Sequence, residues 1–385
     1  MKRTMKAMVS ILLVFSITFL SSGVAFAGGG LQGDSELRFN SNGEFTILQF
    51  ADCQDDALPR KAMIMLMERA LDDVEPDLVV FTGDNCGVLS TKITSRIAIK
   101  ALLKPVAQRG IAFTFVFGNH DAEKVSKEFQ LSVYQGIDGC LAFDDDPSIY
   151  GCANHNLEIK SNDGSETVFN LWMIDSNMYD DVNGGYDWVH TDQIDWYKAK
   201  SQQLENENSG KVPSFVFQHI CVPETYNLLL EAPEGTTQEV RNYNGKNYIM
   251  ELNPEMAQGT LREWPCPSKT NAGEFDAFVE RGDVLGIVTG HDHVNSFIGT
   301  YMGIDLIQTQ GIGFQTYGDE QRGYRVITLK ENNPWGYESY TKTFADVFGE
   351  GLEADFIYKV YGSEVGFLVY AIVEYVKNLI SRLVF

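Results

Sequence analysis

The chain has 385 residues, of which 44% are hydrophobic and 12% aromatic, enough apolar material for one large core or two smaller ones, and this argues against a disordered chain. It carries 53 acidic residues against 30 basic ones, a formal net charge of −23. Because a chain this acidic repels polyanions, we expect no nucleic-acid surface, and a phosphate-bearing ligand must be attracted by a local positive centre such as a metal cluster.

The first 27 residues have the pattern of a cleavable signal peptide. Lys2, Arg3 and Lys6 precede the apolar run Met8–Leu20, and Ala25-Phe26-Ala27 supplies the small residues of a cleavage site. The alternative is an uncleaved membrane anchor, but the run is shorter than the roughly 20 apolar residues that a spanning helix needs. We therefore expect residues 1–27 to direct secretion, giving a protein that is extracellular or held at the cell surface.

Three apolar runs in the first third of the chain each end in a polar motif. The runs are predicted strands, namely Phe45–Phe50, Leu78–Thr82 and Ile111–Phe117. The motifs that follow them are Asp52, Gly83-Asp84 and Gly118-Asn119-His120-Asp121. The segments between the strands, Arg60–Val74 and Ser95–Gln108, have the apolar spacing of helices. This alternation, at the length of a βαβ unit, predicts a parallel sheet.

Later strands repeat the arrangement, with histidine at the strand ends. The predicted strands are Val168–Ile174, Ser214–Phe217 and Val284–Thr289. The second is followed by His219 and the third by Gly290-His291-Asp292-His293. In open α/β sheets ligands bind at the carboxyl ends of the strands. We therefore expect five strand-end motifs to converge on one crevice.

The remaining segments are less regular. Leu229–Gly259 is polar and predicts a long surface excursion near the crevice. Leu306–Gln310 and Tyr324–Leu329 are predicted strands of a second, more antiparallel sheet. His155 and His190 match no ligand pattern, and we interpret them as surface or loop residues.

The six cysteines show neither zinc-finger spacing nor a CxxC motif. Cys140 and Cys152 bracket a loop, which makes them candidates for a disulfide bridge in an exported protein. Cys53 and Cys86 lie beside two of the acidic motifs and are either buried thiols or a second pair.

The strand ends carry six candidate metal ligands, all of them oxygen or imidazole donors: Asp52, Asp84, Asn119, His219, His291 and His293. Mixed donors of this kind suit Mn, Fe or Zn, and a shared carboxylate brings two ions to the roughly 3.5–4 Å separation of two-metal hydrolases. Asp84 is the candidate bridge. Taken singly, each has a simpler interpretation, since Asp52 and Asp84 could cap helices and His219 could be structural. Their combination favours a metal centre.

These motifs, in this order, resemble those of the calcineurin-like metallophosphoesterases, which run D-x-H, G-D, G-N-H-D/E, a lone H after a strand, and G-H-x-H. The corresponding residues here are Asp52-Cys53-Gln54, Gly83-Asp84, Gly118-Asn119-His120-Asp121, His219 and Gly290-His291-Asp292-His293. Finer similarity is to the branch with a yeast cell-cycle phosphatase and plant purple-acid-phosphatase-like enzymes. Gly87 stands where enzymes with the purple colour have their tyrosine ligand, so no ferric tyrosinate site is expected.

The resemblance implies a fold, a pair of cofactors and a role for each motif residue. The fold is an α/β/β/α sandwich of two mixed sheets flanked by helices, and the cofactors are two divalent ions, Mn, Fe or Zn. The first metal would be held by Asp52, Gln54, Asp84 and His293, and the second by Asp84, Asn119, His219 and His291. His120 would face the phosphate-ester substrate and protonate the leaving oxygen while a metal-bridging hydroxide attacks phosphorus in line. Asp121 would orient His120 through a hydrogen bond.

Gln54 departs from the family pattern, because a neutral amide stands where the usual residue is histidine. The substitution either leaves a working first site with an amide ligand or weakens that site until the metal is lost. Asp55 or Asp56 is a candidate to compensate.

The chain then divides into the signal peptide 1–27, a metallophosphoesterase domain over 40–345 and a C-terminal extension over 346–385. Hydrolysis of phosphomonoesters is the leading activity, and the alternatives are phosphodiester cleavage or a catalytically impaired protein that binds metal or phosphate. In the extension, residues 365–385 are predicted to form an amphipathic helix. That helix would dock on the core, contact a membrane surface or associate with another copy.

Overall fold

Two mixed β-sheets packed face to face, with helices on their outer faces, form the architecture. The computed structural model describes residues 36–87 and 91–384, which belong to one compact unit. The predicted sandwich of two mixed sheets flanked by helices is confirmed. The predicted signal peptide, residues 1–27, lies outside the described residues.

The smaller sheet has five strands in the order β16-β15-β2-β3-β4. Its strands are β2 (Glu44–Phe50), β3 (Leu78–Thr82), β4 (Ala112–Val116), β15 (Gly323–Lys330) and β16 (Tyr337–Thr343). The first three are parallel and are joined by helices α1 (Lys61–Val74) and α2 (Lys92–Ala107), as the sequence predicts. β15 pairs antiparallel with β2, and β16 pairs antiparallel with β15 at the edge of the sheet.

The larger sheet has eight strands in the order β1-β5-β6-β7-β12-β14-β13-β11. These are β1 (Leu37–Arg38), β5 (His155–Lys160), β6 (Thr167–Met173), β7 (Ser214–Phe217), β11 (Ala257–Thr260), β12 (Val284–Thr289), β13 (Ser296–Tyr301) and β14 (Ile304–Gln308). β6, β7, β12 and β14 run parallel through its centre. The prediction that the strands at 306–310 and 324–329 share one sheet is wrong, because β14 pairs with β12 here and β15 pairs with β2 in the smaller sheet.

The excursion (Leu229–Gly259) contains a three-stranded sheet of its own. Its strands β8 (Leu229–Glu231), β9 (Arg241–Tyr243) and β10 (Lys246–Leu252) pair in the order β8-β10-β9. A 3₁₀ turn, Pro223–Leu228, leads into it from β7. The other helices are α3 (Lys127–Tyr134), α4 (Thr191–Glu207), α5 (Glu274–Arg281), α6 (Phe344–Phe348), α7 (Leu352–Phe356), a π-helical turn (Ile357–Tyr361) and α8 (Gly366–Val384).

Three apolar clusters hold the layers together. Between the sheets, Ile47 and Phe215 belong to one buried cluster that draws on both. Phe81 lies on the outer face of the smaller sheet in the cluster covered by α1 and α2. On the outer face of the larger sheet, the ring of Trp172 meets that of Tyr197 of α4 at 5.2 Å. Each fully buried large side chain stabilises the fold by about 1.5–3 kcal/mol, so the strand ends rest on a rigid base.

The last helix, α8, confirms the predicted C-terminal helix. Its inner face packs through Val369 and Tyr370 onto the core around α1. Its outer face exposes apolar side chains at spacings of three or four residues: Leu368, Ile372, Tyr375 and Leu379. No helix in the described ranges is long and apolar enough to cross a membrane. Contact of this face with a membrane surface or another copy stays a prediction.

All six cysteines lie in the described ranges and carry free thiols. The candidate bridge between Cys140 and Cys152 is therefore absent. Cys140 pairs with Phe113 beside the smaller sheet, whereas the amide of Cys152 donates to Asp175, which follows a strand of the larger sheet. Cys53 and Cys86 are buried thiols.

Candidate metal centre

The strand ends of both sheets meet at one edge of the sandwich. β2, β3 and β4 of the smaller sheet lead to Asp52, Asp84 and Asn119 respectively, while β7 and β12 of the larger sheet lead to the histidines. The crevice thus lies between two sheets rather than along one. Six predicted ligands are buried there: Asp52, Asp84, Asn119, His219, His291 and His293.

The backbone at this edge is tightly turned. Asp52, Gln54, Asp84 and His291 all have positive φ, between 41° and 76°. A Cβ on Gly118 would lie 2.2 Å from the backbone nitrogen and Oδ1 of Asp84, so only glycine allows the two loops to approach so closely. The short motifs therefore fix the positions of the ligands as well as supplying them.

The first group of ligand atoms belongs to Asp52, Asp84 and His293, each of which offers one atom within 4.8 Å of the others. The Asp52 carboxylate accepts hydrogen bonds from the amide of His291 at 3.0 and 3.2 Å, and its Oδ1 lies 3.5 Å from Nε2 of His293. The opposite nitrogen of His293, Nδ1, lies 2.7 Å from the Thr316 hydroxyl. The ring of His293 is thus oriented with Nε2 towards the carboxylates.

The second group surrounds Nε2 of His219. This atom lies 3.1 Å from Oδ1 of Asn119, 3.4 Å from Oδ2 of Asp84 and 3.2 Å from Nδ1 of His291. Nδ1 of His219 is 2.9 Å from the carbonyl oxygen of Thr82, which can only accept, so Nδ1 is the donor. Nε2 is then available as a ligand, and the carbonyl fixes the ring, as partners of metal-bound histidines commonly do.

Several lone-pair atoms in this cluster have no donor. Oε1 of Gln54, Oδ2 of Asp84 and Nε2 of His291 are buried and have no hydrogen-bond partner among the described residues. Leaving a buried acceptor unpaired costs about 1–3 kcal/mol, and native proteins rarely leave several together. A divalent cation would satisfy such acceptors, so the donor set fits the metals that the resemblance implies.

The pKa values of the cluster also indicate a site that suits a cation. Burial, with the neighbouring Asp84, raises the pKa of Asp52 to about 8. Burial lowers the pKa of His219, but attraction to Asp84 more than offsets it and raises the value to about 10. Burial lowers the pKa of His293 to about 4. Without a metal the cluster therefore holds protons on Asp52 and His219, and a bound cation would replace them.

The side-chain oxygen of Gln54 has no hydrogen-bond partner within the described ranges, and both predicted substitutes lie close to Arg60. Asp55 is buried and accepts hydrogen bonds from the backbone nitrogen of Arg60 at 2.7 Å and from its Nη1 at 2.6 Å. Asp56 keeps 48% of its side chain exposed and lies 3.5 Å from Nη1 of the same arginine. The Asp55 carboxylate is already engaged by Arg60, and compensation by Asp55 or Asp56, like ligation by Gln54, stays a prediction.

His120 lies at the exposed rim of the centre, with 36% of its side chain accessible. Its amide donates to Oδ1 of Asp84 at 2.8 Å, and its Nδ1 lies 2.6 Å from Oε1 of Glu123. The hydroxyl of Tyr179 donates to Glu123 at 2.9 Å and accepts from Nδ2 of Asn119 at 3.0 Å. The imidazole is thus anchored to the cluster on one side and to Glu123 on the other.

The prediction that Asp121 orients His120 is wrong. The Asp121 carboxylate is buried and accepts hydrogen bonds from the amides of Gly118 at 2.8 Å and Cys86 at 3.1 Å. Its side chain therefore points into the loop and ties the Asn119 turn to the turn after β3. Glu123, which occupies the position expected of Asp121, was missed because it lies outside the GNHD motif.

Sequence reasoning did not identify two tyrosines that line the metal centre, and it assigned one histidine to the wrong environment. The Tyr186 ring meets the His291 ring edge-on at 4.3 Å, and Tyr317 stacks on His293 at 4.3 Å. Both tyrosines come from loops whose sequence carries no periodic signal. His155, predicted at the surface or in a loop, is buried in β5, where Nε2 meets the Thr114 hydroxyl at 2.8 Å.

Comparison with known proteins identifies a family model and several relatives that this chain matches. A family model described as calcineurin-like phosphoesterase matches residues 45–295. The chain is 28% identical over 379 residues to a protein named "Probable inactive purple acid phosphatase 14" from Arabidopsis thaliana, covering 87% of this chain and 88% of that one. It is 28% identical over 290 residues to "Phosphatase DCR2" from Saccharomyces cerevisiae, covering 69% of this chain and 46% of the yeast protein.

Among solved structures, a dimetal phosphatase from Danio rerio aligns with a TM-score of 0.46 at 14% identity, over 78% of this chain and 98% of that one.

Proposed function

We propose that this chain, which belongs to the calcineurin-like phosphoesterase family, is a metal-dependent hydrolase of phosphomonoesters. The observation that carries the proposal is the set of buried polar atoms on Gln54, Asp84 and His291 that have no hydrogen-bond partner among the described residues. These atoms lie at the strand ends where the sequence places a dinuclear centre. A protein without metals gains nothing from keeping them unpaired.

The ligands would divide into two sets that share Asp84. The first set is Asp52, Gln54, Asp84 and His293, and the second is Asp84, Asn119, His219 and His291. Their oxygen and imidazole donors suit Mn, Fe or Zn. Divalent ions bound there supply a Lewis acid for the phosphoryl oxygens and lower the pKa of a coordinated water.

The protein's own contribution to the reaction rests on His120. Because Nδ1 is held by Glu123, Nε2 is the nitrogen left to give a proton to the leaving oxygen. The amide of the same residue is held by Asp84, so the imidazole keeps its position relative to the cluster. The hydroxyl of Tyr179 donates to Glu123 and so helps to hold the contact between Glu123 and His120.

Two other functions compete with this one. Phosphodiester cleavage would use the same centre, since the loops rather than the ligands choose the substrate. A protein that binds metal or phosphate without catalysis is the second, because Gln54 departs from the family pattern and one relative carries "inactive" in its name. The retention of His120, which binding alone does not need, favours hydrolysis. We further propose export of the protein on the basis of its N-terminal 27 residues.

The test uses purified protein stripped of metal and reloaded with Mn, Fe or Zn. Metal content is measured by mass spectrometry, and turnover is measured with an aryl phosphate and the matching bis-aryl phosphate. We expect two ions per chain and faster cleavage of the monoester. Faster cleavage of the diester would assign the protein to diesterases, metal binding without turnover would make it a binding protein, and failure to bind metal would refute the centre itself.

A further inference from the structure

A cavity of about 660 Å³ opens beside the metal centre. Its walls come from the loop that contains Tyr186, the 3₁₀ turn with Tyr226, the excursion with Arg241 and Tyr243, and the segment 265–269 with Lys269. We call it the tyrosine cavity. Tyr186 belongs to both sites, because its ring also meets the ring of His291 at 4.3 Å. A ligand bound at the metal ligands therefore has this cavity as a neighbour.

The rings of the tyrosine cavity are held in place by hydrogen bonds at their far ends. Tyr226 donates to the carbonyl oxygen of Pro265 at 3.1 Å, and Tyr243 donates to Oε1 of Glu224 at 3.2 Å. The two rings stack on each other with centroids 5.7 Å apart. Fixed rings give the cavity a firm, partly apolar wall that suits the carbon skeleton of a small organic molecule.

Two cations face this wall, although the chain has a net charge of −23. The guanidinium of Arg241 lies 4.8 Å above the Trp264 ring, and its nearest acid is Glu239, at 3.7 Å, whose side chain is 71% exposed. Lys269 is exposed and forms no hydrogen bond or ion pair among the described residues, although Asp180 is near enough to interact with its charge. Both cations thus keep donors that an anion in the cavity could use.

We propose that the tyrosine cavity binds the leaving group of a phosphate ester that carries a second anionic group, such as another phosphate or a carboxylate. The scissile phosphate would lie at the metal ligands, the carbon skeleton against Tyr186 and Tyr243, and the second anion beside Arg241 and Lys269. This inference rests on the proposed function for the position of the scissile phosphate. The ligand class follows from the wall and the two cations.

The test compares two ligands that differ in the second charge. Hexylphosphonate and hexane-1,6-diylbisphosphonate both resist hydrolysis, and their flexible chain can adapt to the cavity. Calorimetric titration of the metal-loaded full chain should show binding of the bisphosphonate at least about 10-fold tighter than that of the monophosphonate. Lys269→Met and Arg241→Gln should each reduce this ratio about threefold or more.

Lys246→Met is the matched control. Lys246 lies in the same three-stranded sheet as Arg241, but it pairs with Glu231 and does not line the cavity. It should leave the ratio unchanged. Lys269 is exposed and makes no hydrogen bond with the described residues, so its replacement should not impair folding. Equal dissociation constants for the two ligands, or a ratio that survives both cavity variants, would overturn the inference.

Turnover of hexyl phosphate and of hexane-1,6-diyl bisphosphate, measured alongside, separates this inference from the proposed function. Preferential binding of the bisphosphonate without hydrolysis of either ester would refute the hydrolase and leave the subsite standing. Hydrolysis of hexyl phosphate without any preference in binding would refute the subsite and leave the hydrolase standing.

Discussion

The strand-end cluster and the wall beside it are built in different ways. The ligands Asp52, Asp84 and His219 follow directly from buried strands, and their side chains are almost completely inaccessible. The wall is formed by side chains that surround the cluster, such as Tyr179 and Tyr186, which come from loops and remain partly exposed. The cluster therefore determines the kind of chemistry, whereas the wall is free to determine which molecule undergoes it. Substitutions in the two regions should consequently have different signatures.

The largest effect is expected at the residue shared by both sets of ligands. Asp84→Asn keeps the size and the acceptor for the His120 amide but removes the charge that would bridge two ions. Metal content should fall at both sites, and kcat should fall by roughly 1,000-fold or more. Mass spectrometry and steady-state kinetics measure the two quantities. Asp56→Asn, at an exposed carboxylate, is the control, and a fully loaded Asp84→Asn variant with near-normal turnover would contradict the assignment.

The next effect concerns the rim, where cluster and wall meet. His120→Ala should keep both metals but lower kcat by roughly 100-fold, as expected for loss of a general acid. The two readouts are metal content and single-turnover rate. His190→Ala is the control, since that ring lies at the start of α4 and bonds to Asp187. If metal content falls in step with activity, His120 is itself a ligand.

Smaller effects are expected at Glu123 and Asp121, and they should differ in kind. Glu123→Gln should lower kcat about tenfold at unchanged KM, because a neutral amide holds Nδ1 less firmly. Asp121→Asn should instead lower the free energy of unfolding by about 1–3 kcal/mol, since one of its two backbone hydrogen bonds is lost. Kinetics and thermal denaturation of both variants decide the matter. A larger loss of kcat in Asp121→Asn at equal stability would restore Asp121 as the orienting residue.

An effect on metal affinity alone, without a predicted loss of turnover, is expected at Gln54. An amide oxygen is a weaker ligand for zinc than imidazole, so the first site should prefer Mn and lose its metal during dialysis. Gln54→His should bind zinc at that site about tenfold more tightly. Calorimetric titration of zinc into the stripped proteins measures the difference. Indistinguishable affinities at the first site would mean that residue 54 does not touch the metal.

The sequence predicts the strand-end cluster well because the information is local. A buried strand and the residue two positions after it, such as Phe50 and Asp52, are adjacent in the chain, and parallel strands bring their ends together. The assignment of strands to sheets is less accessible, since the apolar runs at β14 and β15 do not encode their partners. The error in the second sheet has this origin.

Side-chain direction and loop contacts explain the other errors. Nothing in the motif GNHD indicates that Asp121 turns inward or that Glu123 reaches the imidazole. Tyr186 meets His291 across more than one hundred residues, and no local pattern records that contact. His155 looks polar in sequence, yet its two ring nitrogens find partners within the fold, and burial follows.

The positive φ angles around the metal centre set a limit on how this protein can change. A non-glycine residue in the left-handed region costs about 1–2 kcal/mol. Glycine at Gln54 or His291 would relieve that cost and delete a ligand in the same step. Selection for thermal stability alone would therefore erode the centre, and its persistence in a lineage would record selection for what the centre does.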